Sequence, residues 1–114
     1  MTDMTSLWLG DSGAEYKFFV YERHPDVPSR PGIFIYAKKN DEDLWVPIYV
    51  GHGDLSVRGT NDSELLARID AKGATHVHLR LNSLEIARQG EVADILKRYQ
   101  NAFEPDGCHV RETA

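Results

Sequence analysis

Several common chemistries are ruled out by what this 114-residue chain lacks. It has one cysteine, Cys108, so no internal disulfide can form, and a reducing compartment is expected. No apolar run approaches the roughly 20 residues needed to cross a bilayer. The opening MTDMTSLWLGDSG has neither the basic start nor the apolar core of a signal peptide. A cytoplasmic location without membrane contact is therefore the expectation. Positive charge is scarce: 13 Lys and Arg stand against 18 Asp and Glu, a net charge of -5, with no dense basic cluster. Phosphate neutralisation supplies most of the affinity of nucleic-acid binders, so this domain alone should bind nucleic acid weakly. Walker-type loops, dinucleotide fingerprints, paired zinc cysteines and Gly-x-Ser-x-Gly elbows are absent.

What remains fits one soluble globular domain, with 41% hydrophobic residues and room for a single core. Residues 1–13 read as a mobile arm with one apolar anchor, Leu7-Trp8-Leu9. Residues 14–104 read as the domain, and residues 105–114 as a tail that begins with the helix-breaking Pro105-Asp106-Gly107. Within the domain, residues 15–22 (EYKFFVYE) are aromatic and β-branched enough for a strand with Tyr16, Phe18 and Val20 on one face. Pro25, Pro28 and Pro31 make the next stretch an extended connection.

Residues 32–38 form the following strand, with Ile33, Ile35 and Ala37 on one face and Phe34, Tyr36 and Lys38 on the other. A polar loop at residues 39–43 leads into a return strand, residues 44–50. Alternation there puts Leu44, Val46, Ile48 and Val50 inward and leaves Tyr49 beside Phe34 and Tyr36. Pro47 donates no ladder hydrogen bond, which predicts a free edge or a bulge. Gly51-His52-Gly53-Asp54 reads as a turn, with Asp54 capping a short helix that carries Arg58. Asn61 and Glu64 predict a capping box for a helix over residues 62–72, ended by Gly73. Residues 75–81 alternate as the last strand. Asn82 and Glu85 open the longest helix, residues 83–103, whose stripe runs through Leu84, Ala87, Val92, Ile95, Leu96, Tyr99 and Phe103. The fold class is α+β, a small mainly antiparallel sheet flanked by helices.

The stretch PGIFIYAKKNDEDLWVPIYVGHGDLSVR holds two aromatic-bearing triplets, Gly32-Ile33-Phe34 and Tyr49-Val50-Gly51, with Arg58 seven residues after Gly51. Together with a glutamate on the long helix, Glu91, these residues resemble the GIY-YIG endonuclease superfamily. The resemblance spans about residues 31–103. It implies a metal-dependent hydrolysis of phosphodiester bonds. Glu91 would hold one divalent metal, magnesium or else manganese, on the scissile phosphate, and Arg58 would stabilise the developing charge. Tyr49 would deprotonate the attacking water. A phenol with a pKa near 10 needs help to do so, for which His52 is the candidate.

The first triplet departs from the pattern, because Phe34 lacks the family's hydroxyl. Tyr36 shares its face but sits two residues along, and Asn101 falls about two residues out of frame with a family asparagine. Read without the resemblance, Glu91 lies four residues after Ala87 and four before Ile95, at the edge of an apolar stripe. A carboxylate there needs a partner, a metal or a path to solvent. Gly90 costs about 1 kcal/mol in a helix interior relative to alanine, which a close-packed neighbour or a passing substrate would explain. His76 and His78 share a strand face without an evident third metal ligand.

Two functions follow as expectations. One is an endonuclease with nucleic acid, DNA in the first instance, as substrate. The other is a non-catalytic relative that binds nucleic acid or a protein partner through the same face.

Overall fold

Residues 32–37 are all buried, which requires a strand paired along both edges and covered on both faces. The computed structural model describes residues 4–23 and 25–109 and shows both conditions met. Strand β3 (Pro31–Lys39) lies between β4 (Trp45–Asp54) and β5 (His76–Leu81). Strand β2 (Glu15–Glu22) pairs with β5, and β1 (Thr5–Leu9) with β2, giving one antiparallel sheet in the order β1-β2-β5-β3-β4. Helix α1 (Ser63–Ala71) covers one face, where Leu65, Leu66 and Ile69 meet Phe34, Tyr36, Ile48, Val77 and Leu79. Helix α2 (Glu85–Arg98) covers the other, with Val92, Ile95 and Leu96 against Phe18, Ile33, Ile35 and Val50. The antiparallel α+β arrangement expected from the sequence is present.

Of the two alternatives that Pro47 allows, a free edge or a bulge, the bulge is present. Strand β4 is an edge strand, and its register slips between Tyr36↔Tyr49 and Ala37↔Pro47, leaving Ile48 as the extra residue of a bulge. The bulge corrects the facing assigned by alternation. Ile48 and Tyr49 both turn toward α1, and Trp45 and Val50 toward α2. Leu44 precedes the strand and is exposed.

Three boundaries also differ. Gly51-His52-Gly53-Asp54 continues β4 instead of turning, because it pairs with residues 31–34 of β3. The side chain of Asp62, not Asn61, caps α1 by accepting from the Leu65 N–H at 3.0 Å. Helix α2 starts at Glu85 without a side-chain cap and stops at Arg98, before a 3₁₀ turn at Gln100–Ala102; Leu84 is exposed and takes no part in its stripe.

The largest correction concerns residues 5–9, which form strand β1 and not an arm; residues 1–3 and 110–114 lie outside the described residues. Two groups hold β1 in place. The Asp94 carboxylate on α2 accepts from the Ser12 N–H (2.9 Å), the Ser12 hydroxyl (2.6 Å) and the Tyr16 hydroxyl (2.7 Å), which fastens the β1–β2 turn to the helix. These bonds hold the carboxyl below its usual pKa. Gly10 permits this approach, since a Cβ there would collide with the Asp94 carboxylate.

The second group is His78. It is fully buried, and its Nδ1 lies 3.0 Å from Trp8 Nε1, which donates to it, and 2.8 Å from Ser6 Oγ. Its ring meets Trp8 and Trp45 edge-on, with centroids 5.4 and 4.5 Å away. Burial first, then neighbouring His76, depress its pKa to about 3.

A histidine kept neutral by the fold but free to charge when unfolded contributes stability above its ordinary pKa of about 6.5, and loses it as pH falls toward the folded value. The fold should therefore lose about 2 kcal/mol between pH 6.5 and 5, before most carboxylates titrate. His109, also depressed by burial, acts with the same sign. Denaturant titrations across this range should show the slope in the native chain and a clearly flatter one in His78→Gln.

Candidate functional site

Phe34, Tyr36 and Tyr49 come together on the α1 face, as the alternation of β3 and the end of β4 predicted. Phe34 stands directly opposite Gly51 in the β3–β4 register. A Cβ on Gly51 would lie 2.5 Å from the Phe34 ring, so the glycine makes room for that ring to lie across β4. Phe34 and Tyr49 ring centroids are 6.2 Å apart, and Phe34 and Tyr36 5.8 Å. The two triplets are thus packed against one another. Beside them is a cavity of about 330 Å³ lined by Phe34, Tyr49, Gly51, His52, Arg58 and Leu65, among others.

Arg58 reaches this region by a different route from the one predicted. No helix forms between β4 and α1. The Asp54 carboxylate accepts from the Ser56 N–H and hydroxyl at 2.9 and 2.7 Å, making one local turn. The chain then passes through left-handed backbone at Arg58 (φ 49°) and Gly59 (φ 73°), which ends any helix there. The guanidinium is buried and donates to the carbonyls of Leu55 (2.6 Å) and Pro25 (3.1 Å), while the Arg58 carbonyl accepts from the Tyr36 hydroxyl at 2.9 Å. Arg58 Nε is left without a partner among the described residues. Arg58 therefore ties the proline-containing connection to the turn after β4, and its fork is engaged by backbone carbonyls.

Tyr49 is half-buried and stacked on His109, with centroids 4.4 Å apart and planes 3° apart. Burial raises its pKa above 10. A raised value makes the phenol harder to ionise and less suited to serve as a base at neutral pH. The stacking partner comes from the stretch read as a tail. The His109 Nε2 accepts from the Val50 N–H at 2.9 Å, and the Cys108 N–H donates to the Ile48 carbonyl at 2.8 Å, so residues 108–109 cover the outer edge of β4. Their sequence held no signal for this, because backbone groups left free at a bulged edge are not written in side-chain pattern.

Glu91 lies on the other side of the sheet, and His52 is contacted from that side. His52 pairs with Ile33, whose side chain faces α2, and its Nδ1 is 3.3 Å from Arg88 Nε on that helix. Its Nδ1 is thereby engaged from the α2 side, although the residue also lines the cavity beside Tyr49 and Arg58. Glu91 is held by Arg80 of β5 through both oxygens, at 2.9 Å from Nε and 3.3 Å from NH2. Arg80 alternates with His78 and shares its α2-side facing; its guanidinium lies 5.3 Å from the centre of the Tyr16 ring. Nothing crowds Gly90, so neither a close neighbour nor a packed passage accounts for it.

The anticipated set divides: Phe34, Tyr36, Tyr49 and Arg58 gather on the α1 face, Glu91 pairs with Arg80 on the α2 face, and His52 lines the α1-side cavity while its Nδ1 meets Arg88 of α2. The donor set does not fit magnesium or manganese. A cation at Glu91 would sit against the Arg80 guanidinium, and no group of three or more His, Cys, Asp or Glu residues converges among the described residues. His76 and His78 do not form a pair of ligands either, since Trp8 donates to His78 Nδ1 and so leaves the proton of the neutral ring on the buried Nε2. Set against family models, curated proteins and solved structures, the chain matches none.

The Arg80–Glu91 pair is largely shielded, with side chains 27% and 18% exposed. Its two hydrogen bonds should give a coupling of about 1–2 kcal/mol in a double-mutant cycle of Arg80→Gln and Glu91→Gln, read by denaturant unfolding. Magnesium or manganese should leave the native midpoint unmoved. A coupling near zero, with metal-dependent stabilisation lost in Glu91→Gln, would return Glu91 to the role of metal ligand.

Proposed function

We propose that this domain is a non-catalytic binding module, a divergent GIY-YIG-like fold that engages a protein partner through the α1 side of its sheet. The separation of Glu91 from Tyr49 and Arg58 by the full thickness of the sheet carries this reading. In-line hydrolysis of a phosphodiester needs nucleophile activation and charge stabilisation around one phosphorus, and these groups face different solvent. Support for the GIY-YIG kinship comes from the register that sets Phe34 against Gly51.

Protein is favoured over nucleic acid by charge and by surface chemistry. The net charge is -5. Many of the cations also have assigned partners: Arg23 pairs with Asp70, Lys39 with Asp43, Arg68 with Glu104, Arg80 with Glu91 and Lys97 with Asp11. The α1 side meanwhile carries an open apolar groove of about 360 Å³ between β2, β5 and the connection before β3, lined by Phe19, Tyr21, Val27, Pro28, Leu79 and Leu81. Phe19 and Leu81 are 43% and 61% exposed there, beyond the reach of α1. Exposed aromatic and aliphatic side chains of this kind suit a protein contact.

A plasmid-nicking assay with magnesium or manganese tests the reading. The native protein should nick no faster than an Arg58→Ala, Glu91→Gln double variant purified identically, and Phe34→Tyr should not raise the rate. Duplex binding should be weak and fall steeply with added salt. Metal-dependent nicking that is lost in Tyr49→Phe would overturn the binding-module reading in favour of an endonuclease, and tight, salt-resistant duplex binding would replace the protein partner with DNA.

A further inference from the structure

The two edges of the sheet are treated differently. Strand β4 has Pro47, a bulge, and residues 108–109 bonded to the backbone of Ile48 and Val50. Proteins commonly protect edges in these ways against pairing with another chain. Strand β1 has none of these devices: its sequence TSLWL contains no charge, proline or glycine, and it pairs with β2 in regular register.

The hydrogen bonds at its two ends fix which backbone groups are open. The Val20 N–H donates to the Met4 carbonyl at 2.9 Å, and the Gly10 N–H to the Ala14 carbonyl at 2.8 Å. Both are bonded pairs of the β1–β2 ladder, so residues 6 and 8 also direct their N–H and C=O groups toward β2. Thr5, Leu7 and Leu9 direct theirs away from it. At Leu9 the outward N–H meets the Tyr99 hydroxyl at 3.4 Å, and α2 overlies that end. At Thr5 and Leu7 no backbone hydrogen bond is made among the described residues, and the Leu7 side chain is 59% exposed.

We propose that β1 pairs with β1 of a second copy of this chain, antiparallel, about a two-fold axis through Ser6. The open groups dictate this register. Two outward-facing residues spaced two apart are satisfied in full when Thr5 of one copy faces Leu7 of the other, and Leu7 faces Thr5. Each such pair exchanges both of its hydrogen bonds, giving four in all. A two-fold axis normal to the sheet keeps the α1 side of both copies on one face, so the apolar Leu7 side chains become neighbours across the axis. The uncharged strand meets its copy without like-charge contact, and the pairing stops short of Leu9, where Tyr99 and α2 stand. The surface is distinct from the groove at Phe19 and Leu81, and the inference does not depend on the absence of catalysis.

Sedimentation equilibrium of the full chain, over about 1 µM to 1 mM, covers the range in which a small interface dissociates. The weight-average mass should double across it. Backbone amide exchange at Thr5 and Leu7 should slow with concentration, while that at Leu81 stays constant. Leu7→Pro removes an outward N–H and no β1–β2 ladder bond; it should weaken the dimer about tenfold or more by deleting two of the four bonds. Leu81→Ser should leave the dimer intact. A monomer throughout, concentration-independent exchange at Thr5 and Leu7, or a dimer lost in Leu81→Ser but kept in Leu7→Pro would each overturn the pairing. The amide exchange of the native chain decides the matter if the proline variant does not fold.

Discussion

The structure depends on a single strand being buried on every side. Strand β3 is paired along one edge with β4 and along the other with β5, and six consecutive residues, 32–37, lose access to solvent. Its alternating side chains seed two separate cores: Ile33, Ile35 and Ala37 under α2, and Phe34 and Tyr36 under α1. A continuous backbone ladder divides these cores, so no side chain from one reaches the other. Everything that touches the sheet must therefore belong to one face or the other, and this partition governs the chemistry available to the domain.

The two faces differ in how polar groups are satisfied. On the α2 side, buried or half-buried polar groups close on each other locally: Asp94 with Ser12 and Tyr16, His78 with Trp8 and Ser6, Glu91 with Arg80. The first two join elements distant in sequence, the third joins α2 to the strand just before it, and together they tie β1, β2, β5 and α2 to one another. On the α1 side, Arg23 pairs with Asp70 of α1, and other bonds run to backbone, with Arg58 donating to the Pro25 carbonyl and the Tyr36 hydroxyl to the Arg58 carbonyl. These fix loop positions beside the Phe34–Tyr49 cavity. The half of this face over β1 and β2 carries exposed Leu7 and Phe19.

Edges complete the picture. Unpaired backbone groups on a sheet margin must be covered, bent away or paired with another strand. At β4 the chain supplies its own cover from residues 108–109. At β1 the cover among the described residues reaches only Leu9, through Tyr99. This asymmetry separates a covered edge from an uncovered one, and it arises from where α2 ends together with the lack of charge, proline and glycine in β1.

The sequence by itself determined the elements and their facing wherever the repeat was regular. Strands β2, β3 and β5 and both helices were legible because Val, Ile, Phe and Tyr alternate cleanly in the strands and the helical stripes hold, so burial follows from local periodicity. The grouping of Phe34, Tyr36 and Tyr49 was legible for the same reason. Only the tertiary structure decided the rest. The bulge at Pro47 shifted Ile48 to the other face, because an inserted residue reverses the parity of everything beyond it. Strand β1 formed because Trp8 found His78, about 70 residues away, a contact that no local pattern encodes. Glu91 found Arg80 and Arg58 found backbone carbonyls because charge pairing is set by which groups share a face after folding. A motif fixes the spacing of its residues along the chain, while the sheet between them fixes whether they can meet.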